Sequence, residues 1–147
     1  MKAPYILFSN LTPAPAAVKY GFFLDPLRAE LLNPHEDARY ELTLLTRMRY
    51  YDSVTDEVVE VPAGFMSDGA SLPRFSWSWV AHPLQREVRR AGVVHDLECR
   101  AQLPRTSTSA HQRFGRMLKV DGMGSRRAKI LETAVRGFGP RWTREAA

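Results

Sequence analysis

Tyr40-Glu41-Leu42-Thr43-Leu44-Leu45-Thr46-Arg47-Met48-Arg49-Tyr50-Tyr51 alternates in character along its length. Leu42, Leu44, Thr46, Met48 and Tyr50 fall on one face, and Glu41, Thr43, Arg47 and Arg49 fall on the other. A period of two is the pattern of a half-buried strand. Asp52 to Asp56 is rich in turn formers, and Glu57 to Val61 reads as the returning strand before Pro62 ends it. This hairpin, about 40–61, predicts a small antiparallel sheet.

Downstream of the hairpin the period changes. Residues 62–82 hold Pro62, Gly64, Gly69 and Pro73, which predicts a rigid, bent loop. Phe75, Trp77 and Trp79 alternate with serines and read as a short strand or an aromatic lip. Three helices are then predicted. Pro83 suits a first helical position. Leu84, Val88, Ala91, Val94 or His95, and Glu98 share one face of the first helix, which ends before Pro104. Thr106 to Ser109 offer N-caps for the second, with Ala110, Phe114, Met117 and Leu118 inward. Asp121-Gly122-Met123-Gly124 breaks that helix. Ser125 is the expected cap of the third, with Ala128, Leu131, Ala134 or Val135, and Phe138 inward, and Gly139-Pro140 stops it.

Upstream, Pro4, Pro13, Pro15, Pro26 and Pro34 interrupt every candidate element. Residues 1–38 are therefore expected to form an extended arm, with a short helical turn near Pro26–Leu32. Such an arm must lie on the rest of the protein or on another chain. The expectation is an α+β fold: a proline-rich arm over 1–38, then one domain over 39–147 with a small antiparallel sheet, a rigid Gly/Pro loop and three C-terminal helices.

The bulk numbers fit one globular domain. The chain has 147 residues, 44% hydrophobic and 25% charged. No apolar run approaches the roughly 20 residues of a membrane helix. The first twenty residues lack the charged-then-apolar pattern of a secretory signal, so the chain is expected to be made in the cytoplasm and not secreted by a signal peptide. Cys99 is the one cysteine, which excludes an intrachain disulfide and a cysteine-rich zinc site. The net charge of +5 is unevenly spread: residues 1–82 carry −3 and residues 83–147 carry +8. A basic helical half fits nucleic acid, an anionic membrane or an acidic partner, and equally a solvated arginine-rich surface.

Two stretches concentrate the chemistry. His95-Asp96 lies in the middle of the first helix, flanked by Val93, Val94 and Leu97. A histidine there can take a proton from water near neutral pH, and a carboxylate can ligate a hard cation. A buried His-Asp pair serves as often to hold a structure together. The loop supplies the complement. Asp68 is a second oxygen ligand, Gly69 can offer a carbonyl, and Ser71 can bond loop backbone. Arg74 has a purely structural use, as an ion pair to Asp96 that pins loop to helix.

Val61 to Arg74, followed by Ala91-Gly92-Val93-Val94-His95-Asp96, resembles the signature of a phage and prophage family known as domain of unknown function 1353. The likeness extends over the hairpin to Ala134-Val135-Arg136-Gly137-Phe138-Gly139, about residues 40–142. It implies a phage or prophage setting and a virion or tail-associated protein, whose partners would be other virion proteins or further copies of itself. It implies no reaction.

A more distant resemblance implies one. Small calcium-dependent bacterial phospholipases that cleave the sn-2 ester carry an Asp-Gly-Cys-Ser loop and a helix with Cys-x-x-His-Asp-x-x-Tyr-Arg. Here the loop reads Asp68-Gly69-Ala70-Ser71 and the helix Gly92 to Arg100. By this likeness His95 activates water, with Asp96 and His111 beside it, and calcium is held by Asp68, Gly69 and Asp96. Ala70 and Gly92 replace both cysteines together, as expected when a disulfide is dropped in a reducing compartment. Cys99 stands at the tyrosine. His111 stands about where those enzymes use an aspartate to orient the histidine, and a histidine accepts a hydrogen bond only when neutral.

Four readings follow. One is a virion protein with inherited hydrolase geometry. Another is an active calcium-dependent lipid esterase at a host membrane, the basic half meeting anionic lipid. A third is a metal phosphohydrolase using His82, His95, Asp96 and Asp121. The last is a helix-turn-helix nucleic-acid binder with Arg126, Arg127 and Lys129 opening the second helix. Plain helix packing is the commoner use of that last pattern, so nucleic acid is not an expected partner.

Overall fold

The computed structural model describes residues 19–32, 41–68, 85–104 and 106–144. Among the described residues the named elements are six strands followed by three helices: β1 (Phe22–Phe23), β2 (Ala29–Leu32), β3 (Glu41–Leu44), β4 (Met48–Asp52), β5 (Glu57–Val61), β6 (Met66–Ser67), α1 (Arg86–Ala101), α2 (Ser107–Val120) and α3 (Ser125–Phe138). This is the α+β arrangement read from the sequence.

The alternating segment behaves as a strand, with one difference. It divides into β3 and β4, which lie in two separate three-stranded sheets, ordered β2-β3-β6 and β1-β4-β5. All pairings are antiparallel. The chain bends at 45–47 because Leu44 and Leu45 donate their N–H groups to Phe65 and Arg28 carbonyls outside the β4–β5 ladder. Leu42, Leu44, Met48 and Tyr50 stay buried, while Thr46, in the bend, is exposed. The hairpin turn is fixed by Asp52, whose Oδ1 accepts the Val54 N–H at 3.0 Å.

After a helical stretch at 19–20 the described part of the arm is extended, and the helical turn near Pro26–Leu32 does not form. Ala29–Leu32 is instead a strand on β3, and Phe22–Phe23 is a strand on β4. These residues gain ladder hydrogen bonds from neighbours remote in sequence, which local propensity cannot register. Tyr50 donates its hydroxyl to the Tyr20 carbonyl at 2.5 Å, and Asp25 takes a forked bond from Arg49 at 2.8 and 3.0 Å. Residues 1–18 and 33–40, with the rest of the predicted arm, lie outside the described residues.

Gly21 makes the crossing possible. Its φ is +110°, and a Cβ there would sit 1.9 Å from the Tyr51 carbonyl oxygen. A side chain meets both a disfavoured backbone region and a clash with backbone. Gly21→Ala is expected to cost about 1–3 kcal/mol. The loss should appear as a lower urea midpoint with faster amide exchange at Phe22 to Leu24. An unchanged midpoint would mean that β1 does not approach Tyr51 so closely.

The helices bury the faces that the sequence predicts. Val88, Ala91, Val94, His95 and Glu98 point inward from α1; Ala110, Phe114, Met117 and Leu118 from α2; Ala128, Leu131 and Val135 from α3. Thr106 caps α2, its hydroxyl accepting the Ser109 N–H at 3.2 Å. Gly124, not Ser125, is the cap residue of α3, without a side-chain bond. Phe138 is 66% exposed rather than inward, because the chain turns onto His111 at Gly139 immediately after it. α1 packs on α2 and α2 on α3, while β5 and β6 lie against α1. The tail returns to the α1–α2 turn: Trp142 donates its indole N–H to the Pro104 carbonyl at 3.0 Å, and Thr143 bridges Thr106.

Candidate functional site

His95 and Asp96 are successive residues of α1, so their side chains diverge by about 100° around the helix. They enter different neighbourhoods as a result. Asp96 faces the loop; His95 faces α2.

On the loop side, β6 lies on α1 and brings Ser67 and Asp68 beside Asp96. Burial pushes the Asp96 carboxyl up to about 6, against the lowering effect of the Ser67 side-chain hydrogen bond; the Asp68 charge adds to the rise and Arg100 opposes it. Arg100 is the centre of this cluster. Its Nε donates to Asp96 at 2.9 Å, its Nη2 lies 3.6 Å from Asp68, and its Nη1 donates to the Met66 carbonyl at 2.6 Å. Its guanidinium also lies 5.4 Å from the centre of the Phe65 ring. The two carboxylates that the phospholipase likeness assigns to calcium are therefore bridged by one organic cation. Asp96 Oδ2 is buried with no hydrogen-bond partner among the described residues. The ion pair expected between Arg74 and Asp96 has its counterpart in Arg100, one helical turn along. Arg74 itself, with Gly69 and Ser71, lies outside the described residues. So do Phe75, Trp77, Trp79 and His82.

Arg100→Ala would leave the buried Asp96 carboxylate without its partner. We expect a loss of about 1 kcal/mol, since one end of the pair is half-exposed. Arg100→Lys should recover only part of it, because a point charge cannot span Asp68, Asp96 and the Met66 carbonyl together. Equal stability of the wild type and both variants in urea would remove the clasp from the account.

On the helix side, His95 is 3% exposed and His111 2% exposed. His95 Nε2 and His111 Nδ1 are 2.8 Å apart. The His95 ring packs 4.9 Å from that of Phe114, and His111 meets the edge of Trp142. His111 Nε2 lies 3.3 Å from the Pro140 carbonyl, an acceptor, which assigns the proton to Nε2 and leaves Nδ1 as the acceptor for His95. Burial, with a smaller contribution from His111, pushes His95 down to about 3. Burial also lowers His111, against the Pro140 bond. Burial thus favours the neutral form of both rings, in which His111 Nδ1 accepts the hydrogen bond of His95. Cys99, one turn from His95, puts its Sγ 3.5 Å from His95 Nε2. His95, Cys99 and His111 each offer a ligand atom, all within 4.8 Å of one another.

Sequence reasoning brought Asp68 to Asp96 and His95 to His111. It missed Cys99, set aside as a single cysteine. The usable signal was its spacing, four residues after a histidine on one helix. It also missed a buried charge network beneath the hairpin. Arg113 Nε donates to Asp52 at 2.8 Å, Arg116 reaches the same oxygen at 2.5 Å, and Arg113 also pairs with Glu98 and Glu57. Asp52, read as part of a turn, is wholly buried. Asp121 is tied to Arg90 at 3.0 Å at the end of α2, which occupies the carboxylate that the phosphohydrolase reading requires. Arg127, from the basic start of α3, bonds Gln85 at 2.9 Å.

These features define an α+β protein with an arginine-clasped loop and a largely buried His-His-Cys cluster. The chain belongs to the family described as "Protein of unknown function (DUF1353)", whose profile matches residues 42–135. It is 35% identical over 143 residues to the uncharacterized protein y4jT of Sinorhizobium fredii (strain NBRC 101917 / NGR234), covering 97% of this chain and 41% of that protein. It is 37% identical over 76 residues to the uncharacterized protein y4iH of the same strain, covering 52% of this chain and 31% of that one. The chain thus spans less than half the length of these curated relatives. No solved structure matches it. Among the described residues no helix is long and apolar enough to cross a membrane.

Proposed function

We propose that this protein is a structural component of a phage or prophage-derived particle, virion or tail-associated, built on a hydrolase-like loop and helix that no longer performs hydrolysis. The observation that carries the reading is Arg100. Its guanidinium lies between Asp68 and Asp96, where calcium-dependent chemistry would need a metal. A fixed organic cation neutralises the carboxylates and holds the loop, but it has no open position for a substrate oxygen. The state of His95 agrees. A base poised for water needs a pKa near the working pH, and a ring buried to about 3 is far too weak. The phage setting rests on the likeness of Val61–Arg74 and Ala91–Asp96 to the phage and prophage signature. Its partners are then other particle proteins or further copies of this chain.

The test has two arms. Particles purified after prophage induction should contain the chain at a fixed ratio to the major structural proteins. The purified chain should release no fatty acid from anionic phospholipid vesicles with calcium present. Absence from the particles overturns the structural role. Calcium-dependent release that disappears in His95→Ala overturns the loss of hydrolysis and makes the protein an esterase acting at a membrane.

A further inference from the structure

We infer that His95, Cys99 and His111 form a three-ligand site for a zinc-type divalent ion, joining α1 to α2. The inference is independent of any role in a particle. A tetrahedral zinc ion with bonds of about 2.0–2.1 Å to nitrogen and about 2.3 Å to sulfur places its ligand atoms roughly 3.3–3.6 Å apart. Here Cys99 Sγ lies 3.5 Å from His95 Nε2 and 3.9 Å from Nδ1, beside the ring, so the thiol must swing toward the Nε2 lone pair to share an ion with it. The two ring nitrogens are 2.8 Å apart and need to open by about half an ångström. His95 and Cys99 stand four residues apart on one helix, the spacing by which a helix presents two ligands on one face.

The surroundings are those of a metal centre. The Pro140 carbonyl at His111 Nε2 fixes the tautomer that turns the Nδ1 lone pair toward His95 and Cys99, as outer-shell carbonyls do around zinc histidines. Phe114 and Trp142 wall the cluster with apolar rings. A cavity of about 260 Å³ reaches His111 and is lined also by Ser107, Thr108, Arg136 and Arg141. It opens the His111 side of the cluster to the surface, where the two arginines favour a small anion. Gly139 permits the close approach, since a Cβ there would meet the His111 ring at 3.1 Å and the Val135 carbonyl at 2.4 Å.

The protons balance as follows. Without metal, the His95 Nε2 proton sits between the two rings. On binding, that proton moves to His95 Nδ1, Nε2 becomes a ligand, and the Cys99 thiol gives its proton to solvent. Burial, followed by the nearby Glu98 and Asp96 charges, holds the thiol at about 12. The metal must therefore supply the driving force for its ionisation, as a coordinated thiol does.

The test uses the whole chain, reduced and stripped with a chelator. Zinc titrated in competition with a chromophoric chelator should bind one ion per chain. Cobalt(II) should give the visible bands of four-coordination and a thiolate-to-cobalt charge-transfer band in the near ultraviolet. Cys99→Ser should abolish that band, and both Cys99→Ser and His111→Gln should weaken zinc by more than about tenfold. Glu60→Gln, on the far surface, should leave affinity unchanged. Lack of one-to-one uptake overturns the site, as does uptake that survives both ligand variants. Should the variants fail to fold, the wild-type cobalt spectrum decides alone: a spectrum without the sulfur band overturns the site.

Discussion

Arg113→Met should cost about 3–5 kcal/mol, a large fraction of the roughly 5–15 kcal/mol by which native proteins are stable. Arg113 is 3% exposed and pairs with Asp52 and Glu98, both fully buried, as well as with Glu57 and the Thr55 hydroxyl. Removing it leaves Asp52 with Arg116 alone and Glu98 with no cation. Burial already pushes Glu98 up to about 7 despite Arg113. Desolvated charge without a partner dominates the loss. Arg113→Lys should not rescue it, because a compact ammonium with three donors cannot span four acceptors held around a planar fork. Urea unfolding checks the prediction, and a loss under about 1 kcal/mol would show the network to be solvated.

The same network sets a pH dependence. Burial raises the Asp52 carboxyl, but the Arg116 and Arg113 guanidiniums outweigh it and hold it below the ordinary value. A group with a depressed folded pKa contributes stability above its unfolded pKa, about 4, and loses it as pH falls through the folded value. Stability should therefore drop steeply below pH ~4. Asp52→Asn should be less stable at pH 7 and less sensitive to acid, and parallel acid curves for the two proteins would refute the assignment.

Phe114→Ala has the second largest expected effect, about 3–5 kcal/mol. Phe114 is wholly buried in the middle of α2, and its ring stacks at a tilt on His95, 4.9 Å away. Truncation removes aromatic surface and leaves a cavity that fixed helices cannot close. It also frees the His95 ring to rotate. Thermal unfolding should show the loss, and the His95 ring resonances should broaden. Phe114→Leu should cost far less, since it keeps most of the volume. A broadened His95 with unchanged stability would separate the two roles of this ring.

The helices were legible in the sequence because one face of each is apolar at helical spacing, from Val88 to Val94 and from Ala110 to Leu118. β4 and β5 were legible for the corresponding period of two. The division between two sheets was not, since the pattern runs almost unbroken through 45–47 and only Phe65 and Arg28, remote in sequence, dictate the bend. β1 and β2 escaped for the same reason. In the site, adjacency of Asp68 to Asp96 and of His95 to His111 followed from motif order. The divergence of His95 from Asp96 follows from helix geometry, which a motif written as a string conceals. Cys99 carried a signal in its spacing from His95, whereas Arg113 was illegible in a plainer sense: its importance lies in which elements meet it, and an arginine in a helix does not announce that.

Arg113 joins β4, β5, α1 and α2 across sequence separations of up to 61 residues. The sheet half cannot satisfy the buried Asp52 alone, and the helical half, though it keeps the Arg113–Glu98 pair, loses the carboxylate that Arg113 and Arg116 share. A cut between residues 68 and 85 should therefore yield no independently folding fragment, though the two pieces should complement each other when mixed. In evolutionary terms the halves are bound to travel together: an exchange between relatives that splits them forfeits the partnership, whereas one that moves them as a block retains it.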